Sequence, residues 1–349
     1  MAYQRDALPG FAGIPTFFRA PRAEFDQLES GVVAVMGAPH DSTLGSRQGT
    51  RYGPRGIREG SLETIAYIEA GPEKFVTHIA SGTRMSLAPG APLVDVGDLP
   101  VYPNDLDRTR ESLRRGSCLA ATSGALPVMF GGDHYVTFPL FQGVSEGLAA
   151  RGVKRLGYIQ FDNHLDLSDD NRIWGKHYHG SQARRISELP IVDAHNMVWV
   201  GASGYTPREQ VDWLRRSGGT LWTPTDIHRE GITHVVNRAI EIASHGTDGV
   251  YVSLDIDVVN GGASPGTGSV VTDGLSPQEL IQAMGMLAAS GVVRALDVTE
   301  VAPPLDPSER TIRIAASAVL EFLSPRIYVR EPHVVDRVHP AKGTKRASA

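Results

Sequence analysis

Leu156-Gly157-Tyr158-Ile159-Gln160-Phe161 runs directly into Asp162-Asn163-His164-Leu165-Asp166. The first six residues are mostly apolar and do not alternate cleanly, as expected of a β-strand covered on both faces. The next five place Asp, His and Asp at i, i+2 and i+4. Those side chains share one face only if the chain stays extended, because on a helix the middle one would point away. The stretch therefore reads as a buried strand that hands acid and imidazole groups to its carboxyl end, where ligands bind in open α/β sheets.

Three further strand ends repeat the pattern. His134 follows Pro127–Phe130 in Gly131-Gly132-Asp133-His134, and Asp255 and Asp257 close Gly249–Leu254 in Ser253-Leu254-Asp255-Ile256-Asp257. Val292–Val298 ends in Thr299-Glu300. A single strand-terminal Asp usually starts a loop or caps a helix. Three clusters at equivalent positions, two of them containing His, read instead as a metal centre. Two His and four Asp exceed what one ion needs and suit two divalent cations bridged by water. Gly131-Gly132 suits a tight turn beside that centre; no Gly-Lys-Ser/Thr follows, so it is not a phosphate loop.

Around these ends lie eight apolar runs: Gly31–Gly37, Pro92–Val96, Pro127–Phe130, Leu156–Phe161, Met197–Gly201, Thr220–Thr223, Gly249–Leu254 and Val292–Val298. Segments of helical period separate most of them, including Leu106–Ser123, Pro139–Arg151, Pro207–Ser217, Ile232–Ser244 and Pro277–Ser290. Ser276 before Pro277, with Glu279 following, is a helix-start signal. Alternating strands and helices predict an α/β fold, a mostly parallel sheet between helical layers. No linker or repeat interrupts residues 1–335, which read as one domain; residues 336–349 read as a flexible tail. Two loops, 163–183 and 256–275, are longer than the fold needs, and each follows a ligand cluster.

Composition narrows the function. A net charge of −5 gives no reason to expect nucleic acid. Cys118 is the only cysteine, which removes a disulfide framework and a thiolate zinc site. Met1-Ala2-Tyr3-Gln4-Arg5-Asp6 lacks a leader pattern, and no apolar run is long enough to cross a bilayer. The expectation is a soluble cytoplasmic protein.

The sequence resembles the arginase/agmatinase family, the ureohydrolases, from about Phe11 to about Leu323. The resemblance is carried by Gly131-Gly132-Asp133-His134, by Asp162-Asn163-His164-Leu165-Asp166, and by Ser253-Leu254-Asp255-Ile256-Asp257 followed by Ser264-Pro265-Gly266-Thr267-Gly268. The segment Asp297-Val298-Thr299-Glu300 matches the family's late acidic motif, while Phe11–Phe17 and Gly49–Arg58 look like the agmatinase branch. It implies a three-layer αβα sandwich with an eight-stranded parallel sheet and two Mn²⁺ ions. One ion would be held by His134, Asp162, Asp166 and Asp255, the other by Asp162, His164, Asp255 and Asp257. It also implies hydrolysis of a guanidino compound, agmatine or a guanidino acid, to urea and an amine, by a homo-oligomer of three or six chains.

Within that resemblance, His179 becomes the proton shuttle, where alone it would be read as a surface-loop histidine. Glu300 becomes the bidentate partner of a guanidinium, where alone it would be paired with Arg310 or Arg313. Asp166 and Asp257 would accept hydrogen bonds from the attacking water. The sequence departs from the family at Asn163, at Asn260-Gly261 and at Tyr178-His179-Gly180-Ser181, so the substrate wall is open. Asp169, Asn171, Trp174 and Tyr178 are its candidates. Asp169 and Asp170 favour a cationic tail, Arg172 and Lys176 weaken that, and Trp174 with Tyr178 suits a small alkylguanidine. A Ni²⁺-dependent hydrolase of guanidine, alkylguanidines or biguanides is thus the alternative, as part of a hetero-oligomer if its partner subunits differ; a non-catalytic scaffold subunit is disfavoured by the intact ligands. Asp193-Ala194-His195 mimics a metal motif but precedes a strand, which puts it at the wrong end of the sheet.

Overall fold

The computed structural model describes residues 9–70, 75–78, 83–88 and 92–332. The segment read for a leader and the tail 336–349 lie outside them. All eight predicted runs form strands of one sheet: β1 (Val33–Ala38), β4 (Leu93–Asp98), β5 (Leu126–Gly131), β6 (Leu156–Phe161), β7 (Val192–Val200), β8 (Thr220–Trp222), β9 (Val250–Asp255) and β10 (Val293–Thr299). Their order is β4-β1-β5-β10-β9-β6-β7-β8, and every pairing in it is parallel. The four central neighbours β5, β10, β9 and β6 are the four strands whose ends carry the acid and imidazole groups. Register levels them: Phe130, Val298, Leu254 and Phe161 lie in one row across the sheet.

Side chains leave each strand to opposite faces, and each face meets its own helical layer. Val33, Val128, Phe130, Ile159, Val252 and Leu296 pack under α1 (Gly53–Ala70), α7 (Ile232–Ser244), α8 (Pro277–Ser290) and α9 (Arg310–Ile327). Met36, Met129, Tyr158, Trp199 and Tyr251 pack under α2 (Leu106–Ser123), α3 (Thr137–Ala149), α4 (Gln182–Ser187) and α5 (Arg208–Ser217). This is the three-layer αβα sandwich with burial on both sides of the sheet. The start of α8 is fixed as its sequence predicts: Ser276 Oγ accepts from Glu279 N–H while the Glu279 carboxylate accepts from Ser276.

Three features differ from the sequence reading. Strand β7 begins at Val192, so Asp193 and His195 lie inside its amino-terminal half. They form a local pair at 2.9 Å at the end of the sheet away from the metal clusters. A second, antiparallel sheet joins β2 (Phe75–His78), β3 (Thr83–Leu87) and β11 (Tyr328–Pro332). Its strands are short and mixed in polarity, and one comes from the far end of the chain, so no apolar run marks it. Neither Arg310 nor Arg313 pairs with Glu300: Arg310 donates to the Gly262 carbonyl and Ser308, and Arg313 pairs with Glu63 and Glu309.

Gly157 shows how tightly the layers close. A Cβ at that position of β6 would stand 1.9 Å from the Ala243 carbonyl oxygen at the end of α7. Gly157→Ala must push a buried strand and helix apart, and it is expected to cost about 1–3 kcal/mol. A urea unfolding midpoint unchanged from the parent protein would show that the two elements separate freely.

Candidate metal centre and catalytic cavity

Turns at the four strand ends aim the polar groups inward. Gly132 is required by a close approach, since a Cβ there would lie 1.9 Å from the His40 carbonyl oxygen. Asp166 and Glu300 adopt φ of 51° and 60°, in the left-handed region that costs a non-glycine residue on the order of 1 kcal/mol. In both cases the turn bends the side chain back toward the cluster.

His134 is buried, and its Nδ1 lies 3.0 Å from Asp162 Oδ2, 2.9 Å from Asp166 Oδ2 and 3.2 Å from Asp255 Oδ2. None of the three oxygens lies along the N–H direction well enough to be a hydrogen-bond partner. One nitrogen ringed by three carboxylate oxygens is the spacing of neighbouring donors around a cation: metal–ligand distances of about 2.1 Å at right angles separate adjacent donors by about 3 Å. His164 Nδ1 is 3.3 Å from Asp162 Oδ1 and 3.1 Å from Asp257 Oδ2. Two metal-competent groups result, His134 with Asp162 and Asp255, and Asp162 with His164 and Asp257. Asp162 belongs to both. The donor set thus fits two hard divalent cations.

Electrostatics point the same way. Burial pushes the Asp255 carboxyl well above the usual range, and the charges of Asp257 and Asp162 push it further. Burial also raises Asp162, but the imidazoles of His134 and His164, 3.0 and 3.3 Å away, outweigh it and hold this carboxyl low. Asp257 foremost, with Asp162, drives the His164 imidazole up, against burial. The acids thus call for positive charge, and metal ions could supply it without protonating the two imidazoles.

A buried polar row supports the ligands from below. Gln160, Ser253 and Asp297 are in register across β6, β9 and β10, on the face that carries Tyr158 and Tyr251. Ser253 Oγ stands 2.9 Å from His134 Nε2 and donates to Asp297 Oδ1 at 2.6 Å, while Tyr251 donates to Asp297 Oδ2 at 2.6 Å. Ser253 can then accept from His134 Nε2–H, which leaves Nδ1 bare for a metal. Gln160 Nε2 donates to Asp162 Oδ2 at 2.6 Å. Sequence reasoning quoted Ser253 and Asp297 without giving them a role and overlooked Gln160. The available signal was a polar residue inside strands otherwise apolar on both faces.

The centre opens into a cavity of about 230 Å³ lined by His134, His164, Asp166, Tyr178, His179, Asp255, Asp257 and Glu300, with Leu44, Tyr205, Thr206, Gln210 and Ser269 among the remaining walls. A larger cavity of about 610 Å³, between the Gly10–Pro15 segment, α1 and the start of α9, contains none of these groups. His179 Nδ1–H donates to the Thr43 carbonyl at 2.7 Å, so Nε2 is the free nitrogen. Thr43 also donates through N–H and Oγ1 to Asp133 Oδ2. Glu300 is buried and accepts from His134 N–H at 2.8 Å. Burial first, then Asp133, pushes its carboxyl well above the usual range, a condition that a bound cation relieves.

The expected wall residues are only partly together. Tyr178 lines the cavity and stacks edge-on to His179 at 5.2 Å. Trp174, about two-fifths exposed, lies outside the lining beside Gly45. Asn171 turns its Oδ1 onto the Ile173 and Trp174 N–H groups. Asp169 pairs with Arg185 at 2.7 Å and Arg184 at 3.3 Å and does not line the cavity. The polar groups that replace them, Tyr205, Thr206, Gln210 and Ser269, come from other loops and from α5.

The Ser253 bridge generates a test. Ser253→Ala removes the partner of His134 Nε2 and should weaken metal binding about 10–100-fold with the fold retained. Titration of the metal-free protein with Mn²⁺ reads this directly, and unchanged affinity would remove Ser253 from the support of His134.

Comparison with known proteins agrees with this site. Residues 32–324 match the arginase family. Guanidinopropionase of Pseudomonas aeruginosa is 32% identical over 90% of this chain and 92% of that protein. Guanidinobutyrase of the same organism is 28% identical over 90% and 93%. The solved structure of proclavaminate amidinohydrolase from Streptomyces clavuligerus superimposes with a TM-score of 0.76 at 28% identity, covering 90% of this chain and 98% of that one. With that match across most of its length and with these likenesses in sequence and structure, the chain belongs to the arginase family.

Proposed function

We propose that this protein is a two-metal amidinohydrolase that cleaves a guanidino compound to urea and an amine, with His134, Asp162, His164, Asp166, Asp255 and Asp257 as its metal ligands. The observation that carries it is a single cavity holding two imidazole nitrogens ringed by carboxylate oxygens, with Asp162 common to both rings, and the Glu300 carboxylate committed to no cationic side chain among the described residues. The names of the two Pseudomonas relatives support a guanidino substrate. The oxygen-rich donor set favours Mn²⁺; the two imidazoles keep Ni²⁺ as the alternative.

In the overall reaction water adds to the guanidinium carbon, the C–N bond to the substituent breaks, and the amine leaves with a proton. A bound metal pair supplies the nucleophile by making water acidic enough to attack near neutral pH. The chain's own groups do the rest. Glu300 pairs with the guanidinium and orients its carbon toward the ligand cluster, in a buried setting where the pairing is strong. Asp166 and Asp257 offer carboxylate oxygens that align the attacking water. His179, with Nδ1 tied to Thr43, presents Nε2 to the cavity and moves the proton to the departing nitrogen.

Asp162→Asn removes one charge from both metal groups and should leave fewer than two metals per chain, read by elemental analysis. Retention of both metals with full urea release would remove Asp162 as the shared ligand. His179→Ala should lower kcat by about 100-fold or more with metal content unchanged, and loss of metal in that variant would make His179 a structural support. Urea release by the parent enzyme, loaded with Mn²⁺ or Ni²⁺ and offered guanidino compounds, tests the reading as a whole; no urea from any of them would overturn it.

A further inference from the structure

A second chamber of about 330 Å³ adjoins the metal cavity. His164, Leu165, Tyr205 and Thr206 wall both spaces, which places the chamber directly beside the cavity that holds Glu300. Val211 and Leu214 of α5 and Leu221 of β8 give the chamber an apolar side, and hydroxyl groups such as that of Thr225 complete it.

Formal charge is missing from these walls. Among the described residues, neither lining contains Lys or Arg. The only carboxylates in either are Asp166, Asp255, Asp257 and Glu300, all assigned above to the metals or the guanidinium. Of the charges nearby, Asp169 is neutralised by Arg184 and Arg185, while Arg47 donates to the Thr267 carbonyl and Asp273, outside the lining, accepts from Ser203. A carboxylate or ammonium entering the chamber would find no opposite charge in its lining. Methylene groups entering it would leave water at a gain.

We propose that this chamber is the subsite for the substrate's tail and that the tail it takes is an uncharged alkyl group, so that alkylguanidines are preferred over agmatine and guanidino acids. This rests on the guanidino reading of the metal cavity. It sets the chain apart from relatives named for guanidinopropionate and guanidinobutyrate.

The test is urea release by the metal-loaded enzyme from methyl-, ethyl-, propyl- and butylguanidine, beside agmatine and 4-guanidinobutyrate. Values of kcat/KM should climb about fourfold per methylene through the alkyl series. Butylguanidine should exceed the two charged compounds by about tenfold or more. Val211→Phe, which fills the chamber, should flatten the alkyl series. Thr225→Arg, at an exposed wall position, should bring in 4-guanidinobutyrate as a substrate, a gain that misfolding cannot mimic. A flat series in the parent enzyme, or preference for either charged compound, overturns the tail assignment while urea release keeps the guanidino reading intact. Silence on every compound overturns both.

Discussion

Mutual repulsion among buried carboxylates governs this molecule. Asp162, Asp255, Asp257 and Glu300 are all buried at the ends of three adjacent strands, β6, β9 and β10, with Asp166 beside them. Ionised carboxylates are tolerated in such a place only with compensating charge. His134 and His164 can supply it as protonated groups, but then they lose the lone pairs that make them ligands. Two dications resolve the conflict for ligands of both kinds. On the proposed reading a guanidinium would do the same for Glu300, which no Lys or Arg among the described residues neutralises. On that reading substrate charge and metal charge would complete one electrostatic unit, and the fold is what holds the acids together.

The row beneath the ligands follows from that demand. A metal-bound imidazole needs its second nitrogen occupied, or the ring turns. Ser253 meets that need from the middle of a buried strand, and Asp297 anchors Ser253 while taking the Tyr251 hydroxyl. Polar side chains inside a two-sided sheet are costly unless each is satisfied. Ser253 and Asp297 satisfy each other because the parallel register sets them side by side, and Gln160, at the same level, is bonded by Asp162, Tyr158 and Gln182. The sheet therefore does more than present its ends: two layers of its interior are shaped for the chemistry.

What could be read from sequence follows from distance along the chain. The eight strands of the main sheet were legible because coverage on both faces makes each an apolar run, and the ligands because i, i+2, i+4 spacing is a local fact. The row below them was not, since it depends on β9 lying between β10 and β6, an order no local pattern states. The small antiparallel sheet escaped for a similar reason, pairing β3 with a strand more than two hundred residues later. Asp169 looked available as a substrate acid because its partners, Arg184 and Arg185, reach it only once α4 folds back.

Specificity is placed by the same logic at the least local part of the site. Metal ligands and Glu300 come from strand ends, whose positions the hydrogen-bonded ladder fixes to within a residue. The tail chamber is built from the loop after β7, one side of α5 and the end of β8, near the edge of the sheet. Tyr205, fully exposed between the two spaces, stands on that loop. Changes there alter which tail is accepted without disturbing the charge balance at the centre, because no wall residue in the chamber other than His164 and its chain neighbours takes part in that balance. On the proposed reading chemistry and selectivity are carried by different elements: the reaction by the ends of central strands, the choice of substrate by loops that can vary.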